Sequence, residues 1–218
     1  MSNEQCPSLS LADFRSRPVV FAANGMTHRA VFLDRDGTLN VDKNYLSDPE
    51  QLEILPGTGR ALRRLIEAGF LLFIVTNQSG IGRGYYTIND LEQVNARLCA
   101  ELAKDGVRFT RIFFAAEAPD QPSRGRKPSP QFLLDAQEEF GLDLGQCYMI
   151  GDKLIDVACG QNAGVARSIL VRTGYGRRVE QEAPAELDRA LIVDDLPAAV
   201  SWILKASQEI GPARPGRS

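Results

Sequence analysis

Two carboxylates that lie two residues apart could bind a metal ion or attack an electrophile. They belong to the motif DRDGT at residues 34–38, which follows the apolar run 30–33. Gly37 in this motif permits a tight turn. Aspartate oxygens are hard ligands that suit Mg²⁺, and an aspartate can also act as a nucleophile. A single motif of this kind is also compatible with a plain turn or a calcium loop. Its meaning therefore depends on what the rest of the chain places beside it.

Three further polar signals follow apolar runs or precede a helix. Thr76 comes after the run 70–75, where its hydroxyl and nearby backbone N–H groups could hold phosphate oxygens. Residues 126–128, Arg-Lys-Pro, place two cations before a helix, a favourable position for binding an anion. The segment 151–156, GDKLID, places Asp152 directly after another apolar run. Each signal alone also fits an ordinary strand end, a solvated basic loop or a helix cap.

The elements that must position these residues alternate between short apolar runs and segments of helical periodicity. Strands are predicted near 29–34, 70–75, 111–115, 147–150, 168–171 and 190–193, and helices near 57–68, 88–104, 129–140, 154–162 and 196–206. This alternation predicts an α/β fold with a Rossmann-like parallel sheet and helices on both faces. Ligands of such sheets bind outside the carboxyl ends of the strands. We therefore expect the four signals to meet at one edge of the sheet.

Composition limits the classes of function. The chain has 218 residues, of which 44% are hydrophobic and 24% charged, so one core can form without disulfides or a structural metal. A net charge of −3 argues against broad binding to nucleic acid or anionic membranes. Four scattered cysteines, no export signal and no long apolar span favour a reducing cytoplasm. We expect an extension over residues 1–28, one domain over 29–207 and a flexible tail over 208–218.

Taken in order, these motifs resemble the four motifs of the haloacid dehalogenase superfamily of phosphohydrolases. Within that superfamily, the segments FLDRDGTLN, TNQSGIGRG, RKP, GDKLIDVACGQNAG and LVRTGYG are similar to the heptose bisphosphate and histidinol phosphate phosphatase branch. The resemblance extends from about residue 29 to residue 176. The segments between Asp34 and Thr76, and between Thr76 and Lys127, are too short for a separate cap domain. A capless haloacid dehalogenase fold with an open cleft is therefore expected.

The resemblance and the chemistry together assign roles to five residues. Asp34 is expected to attack phosphorus and form an aspartyl phosphate, while Asp36 protonates the leaving oxygen and later activates water. Mg²⁺ would be held by Asp34, the main-chain carbonyl of Asp36 and Asp152. Thr76 and Lys127 would stabilise the phosphoryl oxygens.

The same resemblance implies a set of substrate contacts. Arg126 is expected to read a second phosphate, because a guanidinium fork matches that group. Asp156 is expected to orient Lys153 from outside the first layer of contacts. The full set of implied substrate contacts is Asp42, Lys43, Asn44, Tyr45, Asn77, Gln78, Ser79, Arg126 and Lys153.

One departure from the family pattern lies before the RKP motif. Heptose bisphosphate phosphatases commonly carry a structural zinc loop there, built from a Cys-x-His pair and a Cys-x-Cys pair. This chain has Ala115, Glu117, Ser123 and Gly125 at those places. No thiolate or imidazole is left for a tetrahedral site, so no zinc is predicted.

The resemblance implies hydrolysis of the 7-phosphate of D-glycero-D-manno-heptose 1,7-bisphosphate, in the supply of activated heptose for bacterial envelope polysaccharide. A histidinol phosphate or broad sugar phosphatase is the alternative enzyme. A receiver-like signalling module would not need Asp36 as an acid, and an inactive scaffold would not need every chemical position filled. Polynucleotide end-processing is disfavoured by the acidic pI. We expect a small phosphorylated sugar as partner, no nucleic acid or membrane, and a monomer or small homo-oligomer.

Overall fold

The computed structural model describes residues 27–209, which build one six-stranded parallel sheet and its covering helices. The strands are β1 (Ala30–Leu33), β2 (Leu71–Asn77), β3 (Arg111–Ala115), β4 (Tyr148–Gly151), β5 (Arg167–Val171) and β6 (Leu191–Val193). The helices are α1 (Thr58–Glu67), α2 (Ser79–Gly82), α3 (Ile88–Ala103), α4 (Gln131–Phe140), α5 (Leu154–Ala163), α6 (Gly176–Glu182) and α7 (Leu196–Glu209). Three 3₁₀ turns lie at Pro49–Gln51, Leu144–Gln146 and Pro184–Leu187.

The strand order places a topological switch at the centre of the sheet. The order is β3-β2-β1-β4-β5-β6, with every neighbouring pair parallel. Leu33 at the end of β1 lies beside Ile74 of β2 and Ile150 of β4. The chain winds from β1 toward β3 and then crosses to β4 on the other side. Open α/β sheets bind ligands at such a crevice, between the carboxyl ends of the diverging strands.

The sheet is buried between two apolar layers, which explains why its strands are almost continuously hydrophobic. On one face, Leu62 of α1, Leu98 of α3 and Ile203 of α7 pack with β1, β2 and β5. On the other face, Leu133 of α4 and Cys159 of α5 pack with Phe32 and Met149. The residues of β1 are fully buried on both faces. Because this core holds the strands in place, the backbone positions of the residues at their carboxyl ends are fixed as well.

A short flap, residues 34–57, connects β1 to α1 in place of a larger insertion. Asn40 forms β-bridges with Asp36 and Ile54, which fold the flap back toward the strand end. The 3₁₀ turn Pro49–Gln51 lies within it, capped by Asp48. Within the described residues, neither this flap nor the connection from β2 to β3 forms a separate cap domain.

All six predicted strands and all five predicted helices are confirmed, with small changes at their ends. β2 continues to Asn77, so Thr76 belongs to the strand. Helix α4 begins at Gln131 and not at 129. Pro130 disfavours helical dihedral angles in the residue before it, which is Ser129. The short helices α2 and α6 and the 3₁₀ turns were not predicted.

The predicted extension and tail fall almost wholly outside the described residues. Residues 1–26 and 210–218 are not part of the description, so the predicted domain limits stay predictions. Helix α7 reaches Glu209, two residues past the predicted end of the domain. None of the helices within 27–209 is long and apolar enough to cross a membrane.

Candidate active site

Three buried carboxylates converge at the switch point. Asp34 follows β1, Asp152 follows β4, and Asp156 lies in the first turn of α5. Each offers an oxygen within 4.8 Å of the others, and all three residues are at most 4% exposed. Three negative charges at this depth require compensation, because burial of an unpaired carboxylate is costly.

Lys127 supplies one positive charge to this cluster. Its Nζ lies 2.8 Å from Asp34 Oδ1 and 2.6 Å from Asp156 Oδ1, and it donates a 2.7 Å hydrogen bond to the Val75 carbonyl. Burial lowers the pKa of Lys127, but the two carboxylates outweigh that effect and raise it above its ordinary value. Lys127 is therefore a fixed cation between the end of β2 and the acidic cluster.

The expected role of Asp156 is corrected by these contacts. Its carboxylate does accept a 2.9 Å hydrogen bond from the backbone N–H of Lys153. The Lys153 ammonium, however, pairs with Asp42 Oδ2 at 3.1 Å. Asp156 thus holds the charged group of Lys127 and not that of Lys153, because α5 starts directly beneath the cluster.

Asp152 is the carboxylate with unmet need for positive charge. Its Oδ2 accepts a 2.8 Å hydrogen bond from the Tyr175 backbone, whereas its buried Oδ1 has no hydrogen-bond partner among residues 27–209. Burial, and then the charge of Asp34, raise the pKa of Asp152 to about 8. Burial also raises the pKa of Asp34 to about 6, although Lys127 opposes the shift. Lys153 also acts on Asp34 and Asp152, but its ammonium is paired with Asp42. The charge of Lys127 and a share of that of Lys153 do not neutralise three carboxylates, so the donor set fits a divalent cation bound by oxygen ligands.

Two glycines make room for the Asp152 carboxylate. A Cβ on Gly37 would lie 2.3 Å from Asp152 Oδ2, and a Cβ on Gly174 would lie 2.1 Å from the same oxygen. Both residues adopt positive φ, 87° and 52°. Thr173 Oγ1 donates a 2.6 Å hydrogen bond to the Gly37 carbonyl, which ties the two turns together. The segment after β5 therefore shapes the site, although sequence reasoning assigned it no site residue; its TGYG pattern was the available signal.

Asp36 is oriented from the protein interior. Arg35 is fully buried and its Nη2 lies 2.9 Å from Asp36 Oδ2. Asn40 and Gln78 donate further hydrogen bonds of 2.9 and 3.0 Å to the same carboxylate. Burial raises the pKa of Asp36, but the Arg35 charge and these hydrogen bonds outweigh it and hold the pKa below its usual value. Asn95 of α3 accepts a 2.9 Å hydrogen bond from Arg35 Nη1 and completes this support.

Arg35, Asn95 and Tyr86 were missed by sequence reasoning. Arg35 is flanked by the two motif aspartates, but nothing in the sequence indicates that its side chain is buried. Tyr86 donates a 2.5 Å hydrogen bond to Gln78 Oε1 from the segment before α3. A polar residue that acts only through other buried residues leaves no spacing signal, so only the structure reveals it.

The amides of Asn77 and Gln78 make contacts inside the protein. Asn77 donates to the Lys127 carbonyl at 3.1 Å and accepts from the Lys127 N–H at 3.0 Å. Gln78 is 3% exposed and donates to Thr76 Oγ1 at 2.9 Å as well as to Asp36. Both side chains thus position predicted catalytic residues, and their expected contact with substrate stays a prediction.

Apart from Arg126, the other residues predicted to contact substrate follow the carboxyl ends of β1, β2 and β4. Lys153 Nζ lies 4.7 Å from the centre of the Tyr175 ring, in addition to its pair with Asp42. Tyr45 is exposed and packs edge-on against Tyr85. Asn44 and Tyr45 have φ of 52° and 63°, a backbone that presents both side chains from a tight turn. Two residues of the predicted set make other contacts. The Lys43 side chain pairs with exposed Glu53. The Ser79 backbone carbonyl accepts a hydrogen bond from the Arg83 N–H.

Arg126 directly precedes Lys127, lies near Arg83 and Tyr45, and forms no salt bridge with any residue in 27–209. Its Nη1 donates a 3.1 Å hydrogen bond to the Glu117 carbonyl. Burial, and then the charge of nearby Arg83, lower the pKa of Arg126 below its ordinary value. Two guanidinium groups therefore share this side of the cleft, where an anion could bind between them.

The positions that carry zinc ligands in the resembled family hold other contacts here. Ser123 Oγ donates a 2.7 Å hydrogen bond to Glu117 Oε2. Ala115 ends β3 and Gly125 packs against the Phe132 ring. In the described part of the chain, Asp34, Asp152 and Asp156 are the one cluster with the geometry to hold a metal ion. The absence of zinc stays a prediction.

Known proteins match this chain over most of its length. A HAD-hydrolase-like family model matches residues 125–199. A D-glycero-beta-D-manno-heptose-1,7-bisphosphate 7-phosphatase of Haemophilus ducreyi is 38% identical over 179 residues, which cover 79% of this chain and 98% of that relative. The chain belongs to the heptose bisphosphate phosphatase family of the haloacid dehalogenase superfamily. It is a phosphatase by this membership.

Other members of the family agree in sequence and in fold. An alpha-anomer 7-phosphatase of Burkholderia mallei is 36% identical over 73% of this chain and 88% of that relative. The crystal structure of the D,D-heptose 1,7-bisphosphate phosphatase of B. bronchiseptica, complexed with magnesium and phosphate, is 30% identical and superposes with a TM-score of 0.75. That match covers 83% of this chain and 99% of the other. The predicted α/β haloacid dehalogenase fold and the predicted enzyme class are confirmed.

Proposed function

We propose that this phosphatase removes the 7-phosphate of D-glycero-D-manno-heptose 1,7-bisphosphate with the aid of Mg²⁺. The observation that carries the proposal concerns Arg126, which directly precedes the Lys127 that is paired with buried Asp34. Arg126 forms no salt bridge within 27–209 and lies near a second cation, Arg83. One phosphate would react at Asp34 while the other is held by Arg126. The names of the related phosphatases support this substrate.

Asp34 is the proposed nucleophile. Its carboxylate oxygen attacks phosphorus and forms an aspartyl phosphate while the sugar alkoxide leaves. Lys127, at 2.8 Å from Asp34, offers fixed positive charge where the equatorial oxygens gain negative charge, and Thr76 at the end of β2 offers a hydroxyl. Neither cation nor hydroxyl must reorganise, because both are held in the buried sheet edge.

Asp36 is the proposed acid and base. It gives a proton to the departing alkoxide, and then takes a proton from the water that hydrolyses the aspartyl phosphate. The contacts that hold its pKa below the usual value favour the charged carboxylate, which is the form that acts as the base. In the structure 17% of the Asp36 side chain is exposed, against 6% of the Asp34 side chain. Arg35, Asn40 and Gln78 fix its orientation, so the same oxygen can serve both half-reactions.

Asp34, Asp152 and the main-chain carbonyl of Asp36 would hold the Mg²⁺. When bound, the ion would oppose the charge of the nucleophile and of the phosphate, which otherwise repel each other. The unpartnered Asp152 Oδ1 supports this assignment. The related B. bronchiseptica structure, which is complexed with magnesium and phosphate, supports the choice of Mg²⁺ as the ion.

The remaining features of the proposal concern the surroundings of the enzyme. The thiols of Cys99, Cys147 and Cys159 are free, which is consistent with a reducing cytoplasm. A monomer or small homo-oligomer acting on a free sugar phosphate is proposed, without a nucleic-acid or membrane partner.

The test is phosphate release with Mg²⁺ on both anomers of heptose 1,7-bisphosphate, fructose 1,6-bisphosphate, histidinol phosphate and a nucleotide. We expect kcat/KM for one heptose bisphosphate to exceed the others by roughly a hundredfold, about 2.7 kcal/mol of discrimination. Uniformly low values would reject the heptose substrate. The variant Asp34→Asn, measured alongside, should lose turnover; near-normal activity would remove Asp34 as the nucleophile.

A further inference from the structure

Residues 116–126 form a loop whose two ends are fixed to the active-site side of the sheet. At its start, the Ala116 carbonyl accepts a 2.8 Å hydrogen bond from Gly82 N of α2. A Cβ on Gly82 would lie 2.5 Å from Ala118 N, so the two backbones are in close contact. At its end, the backbone of Lys127 exchanges two hydrogen bonds with the Asn77 amide: Asn77 donates to the Lys127 carbonyl and accepts from the Lys127 N–H. The loop therefore spans two fixed points beside the cleft.

Between these points a closed set of hydrogen bonds connects Ser123, Glu117 and Arg126. Ser123 Oγ donates to Glu117 Oε2 at 2.7 Å and accepts from the Arg126 backbone N–H at 3.2 Å. Arg126 Nη1 in turn donates to the Glu117 carbonyl at 3.1 Å. Both the backbone and the guanidinium of Arg126 thus depend on the same two residues.

The chemistry of this set favours a positioning role. A hydroxyl that donates to a carboxylate makes a stronger hydrogen bond than a neutral pair does. The Glu117 carboxylate is near enough to act on the Arg126 charge, but it accepts the Ser123 hydroxyl and forms no salt bridge to Arg126 within the described residues, so the guanidinium keeps donors for a ligand. The nearby Arg83 has no ion pair within the described chain either, so both cations are available.

We propose that Ser123 and Glu117 are positioning residues for Arg126, and that through it they set the preference for a substrate with a second phosphate. This inference rests on the proposed function, since it assumes that Arg126 binds the phosphate that is not hydrolysed. Ser123 and Glu117 themselves touch neither substrate nor reacting atoms.

The experiment compares KM and kcat for heptose 1,7-bisphosphate with those for heptose 7-phosphate, which lacks the second anion. Ser123→Ala should raise KM for the bisphosphate about fivefold, the scale of one lost hydrogen bond, with kcat and the monophosphate values unchanged. Ser123→Thr keeps the hydroxyl and should restore KM. Glu117→Ala should behave like Ser123→Ala, whereas Glu117→Gln keeps an acceptor oxygen and should stay near wild type.

A matched control and a double variant complete the test. Ser129 also donates its hydroxyl to a loop carbonyl, that of Arg124. Its only hydrogen bond to Arg126 among the described residues runs from its backbone N–H to the Arg126 carbonyl at 2.9 Å, and Ser129→Ala keeps that bond. Ser129→Ala should leave KM unchanged, and an equal rise there would overturn the inference, because general loosening of the loop would suffice. In an Arg126→Ala background, Ser123→Ala should add no further rise in KM, since the group it positions is gone.

The possible failures are distinguishable. A wild type that does not prefer the bisphosphate over the monophosphate would reject both the proposed function and this inference. A wild type that does prefer it, combined with Ser123→Ala that keeps the low KM, would reject the positioning role alone. Amide exchange at Arg126 checks the geometry without substrate: its N–H should exchange faster in Ser123→Ala than in Ser123→Thr.

Discussion

Gln78 Nε2 donates a 3.0 Å hydrogen bond to Asp36 Oδ2, and the same nitrogen donates to Thr76 Oγ1 at 2.9 Å. A single buried amide thus links the proposed acid to the proposed phosphate-holding hydroxyl. Its orientation is set from the other side, because Gln78 Oε1 accepts from Tyr86 and from Arg35. The geometry of the cleft is consequently decided by residues that no substrate reaches.

Tyr86→Phe should lower kcat without changing KM by more than about twofold. The substitution removes the 2.5 Å donor to Gln78, so the amide can rotate and Asp36 loses a fixed partner. We expect a stability loss of about 1 kcal/mol, the scale of one buried hydrogen bond. Steady-state kinetics and thermal unfolding measure the two effects.

Tyr85→Phe is the matched control. Tyr85 is 61% exposed and packs against Tyr45, so loss of its hydroxyl should leave kcat and stability unchanged. Equal effects in the two variants would contradict the role assigned to the Tyr86–Gln78 contact.

Asp152→Asn should stabilise the metal-free protein while abolishing turnover. The carboxylate is fully buried near Asp34 and its Oδ1 is unpartnered, so removal of its charge relieves repulsion. Relief of an uncompensated buried charge is worth on the order of 1–3 kcal/mol here. Thermal unfolding in EDTA should show a higher Tm for the variant, and added Mg²⁺ should raise the Tm of wild type only.

The advantage of Asp152→Asn should also grow with pH. The folded-state pKa of Asp152 is raised to about 8, whereas an unfolded aspartate titrates near 4. A raised folded pKa means that the wild type loses stability as pH rises through this window. In EDTA the difference in Tm should therefore be larger at pH 8.5 than at pH 5.5. Asp120→Asn on the exposed surface is the control, and a pH-independent difference would argue against the assigned shift.

The positions of Asp34, Thr76, Lys127 and Asp152 could be predicted from the sequence because each follows a recognisable strand or precedes a helix. Parallel strands bring such residues to one edge whatever the details of packing. All six strands could also be predicted from the sequence. A short apolar run that lies between two segments of clear helical periodicity has few possible structures other than a buried strand.

The supporting residues could not be predicted, because their role depends on side-chain direction. Asp156 was linked to Lys153 by its position three residues later, yet its carboxylate pairs with Lys127, which is remote in sequence. The contacts of the Asn77 amide with Lys127 and of the Gln78 amide with Thr76 were not predicted either. Sequence spacing places a residue at the strand end, whereas packing decides which way its side chain points.

The three described thiols should be unreactive in the native protein. Burial raises the pKa of Cys99 to about 11 and the pKa of Cys147 and Cys159 to about 12. At pH 8 a thiol of pKa near 11 is thiolate in only about one molecule in a thousand, and the thiolate is the reactive form. Cys6 lies outside the described residues, so Cys6→Ser isolates the other three. Ellman's reagent should titrate almost no thiol in this variant until denaturant exposes all three; rapid native reaction would contradict the burial.

Arg83→Gln should weaken binding of a bisphosphate more than binding of a monophosphate. Arg83 is close enough to Arg126 to lower its pKa, and neither residue has a salt bridge within 27–209. Without a ligand the two cations repel each other, so an anion between them gains from both. Loss of one should raise KM for heptose 1,7-bisphosphate about tenfold, or about 1.4 kcal/mol, and should weaken its dependence on salt.

Arg108→Gln is the control for net charge. Arg108 is exposed and precedes β3, so it lies at the amino edge of the sheet, opposite the carboxyl ends that carry the site. If KM is set by the attraction between the substrate and the net charge of the whole protein, Arg83→Gln and Arg108→Gln should raise KM equally, for the bisphosphate and for the monophosphate. If the Arg83–Arg126 pair binds the second phosphate, only Arg83→Gln should raise it, and only for the bisphosphate. KM measured at two salt concentrations for the two variants separates these mechanisms, because a local pair responds to the second anion and a global field responds to any anion.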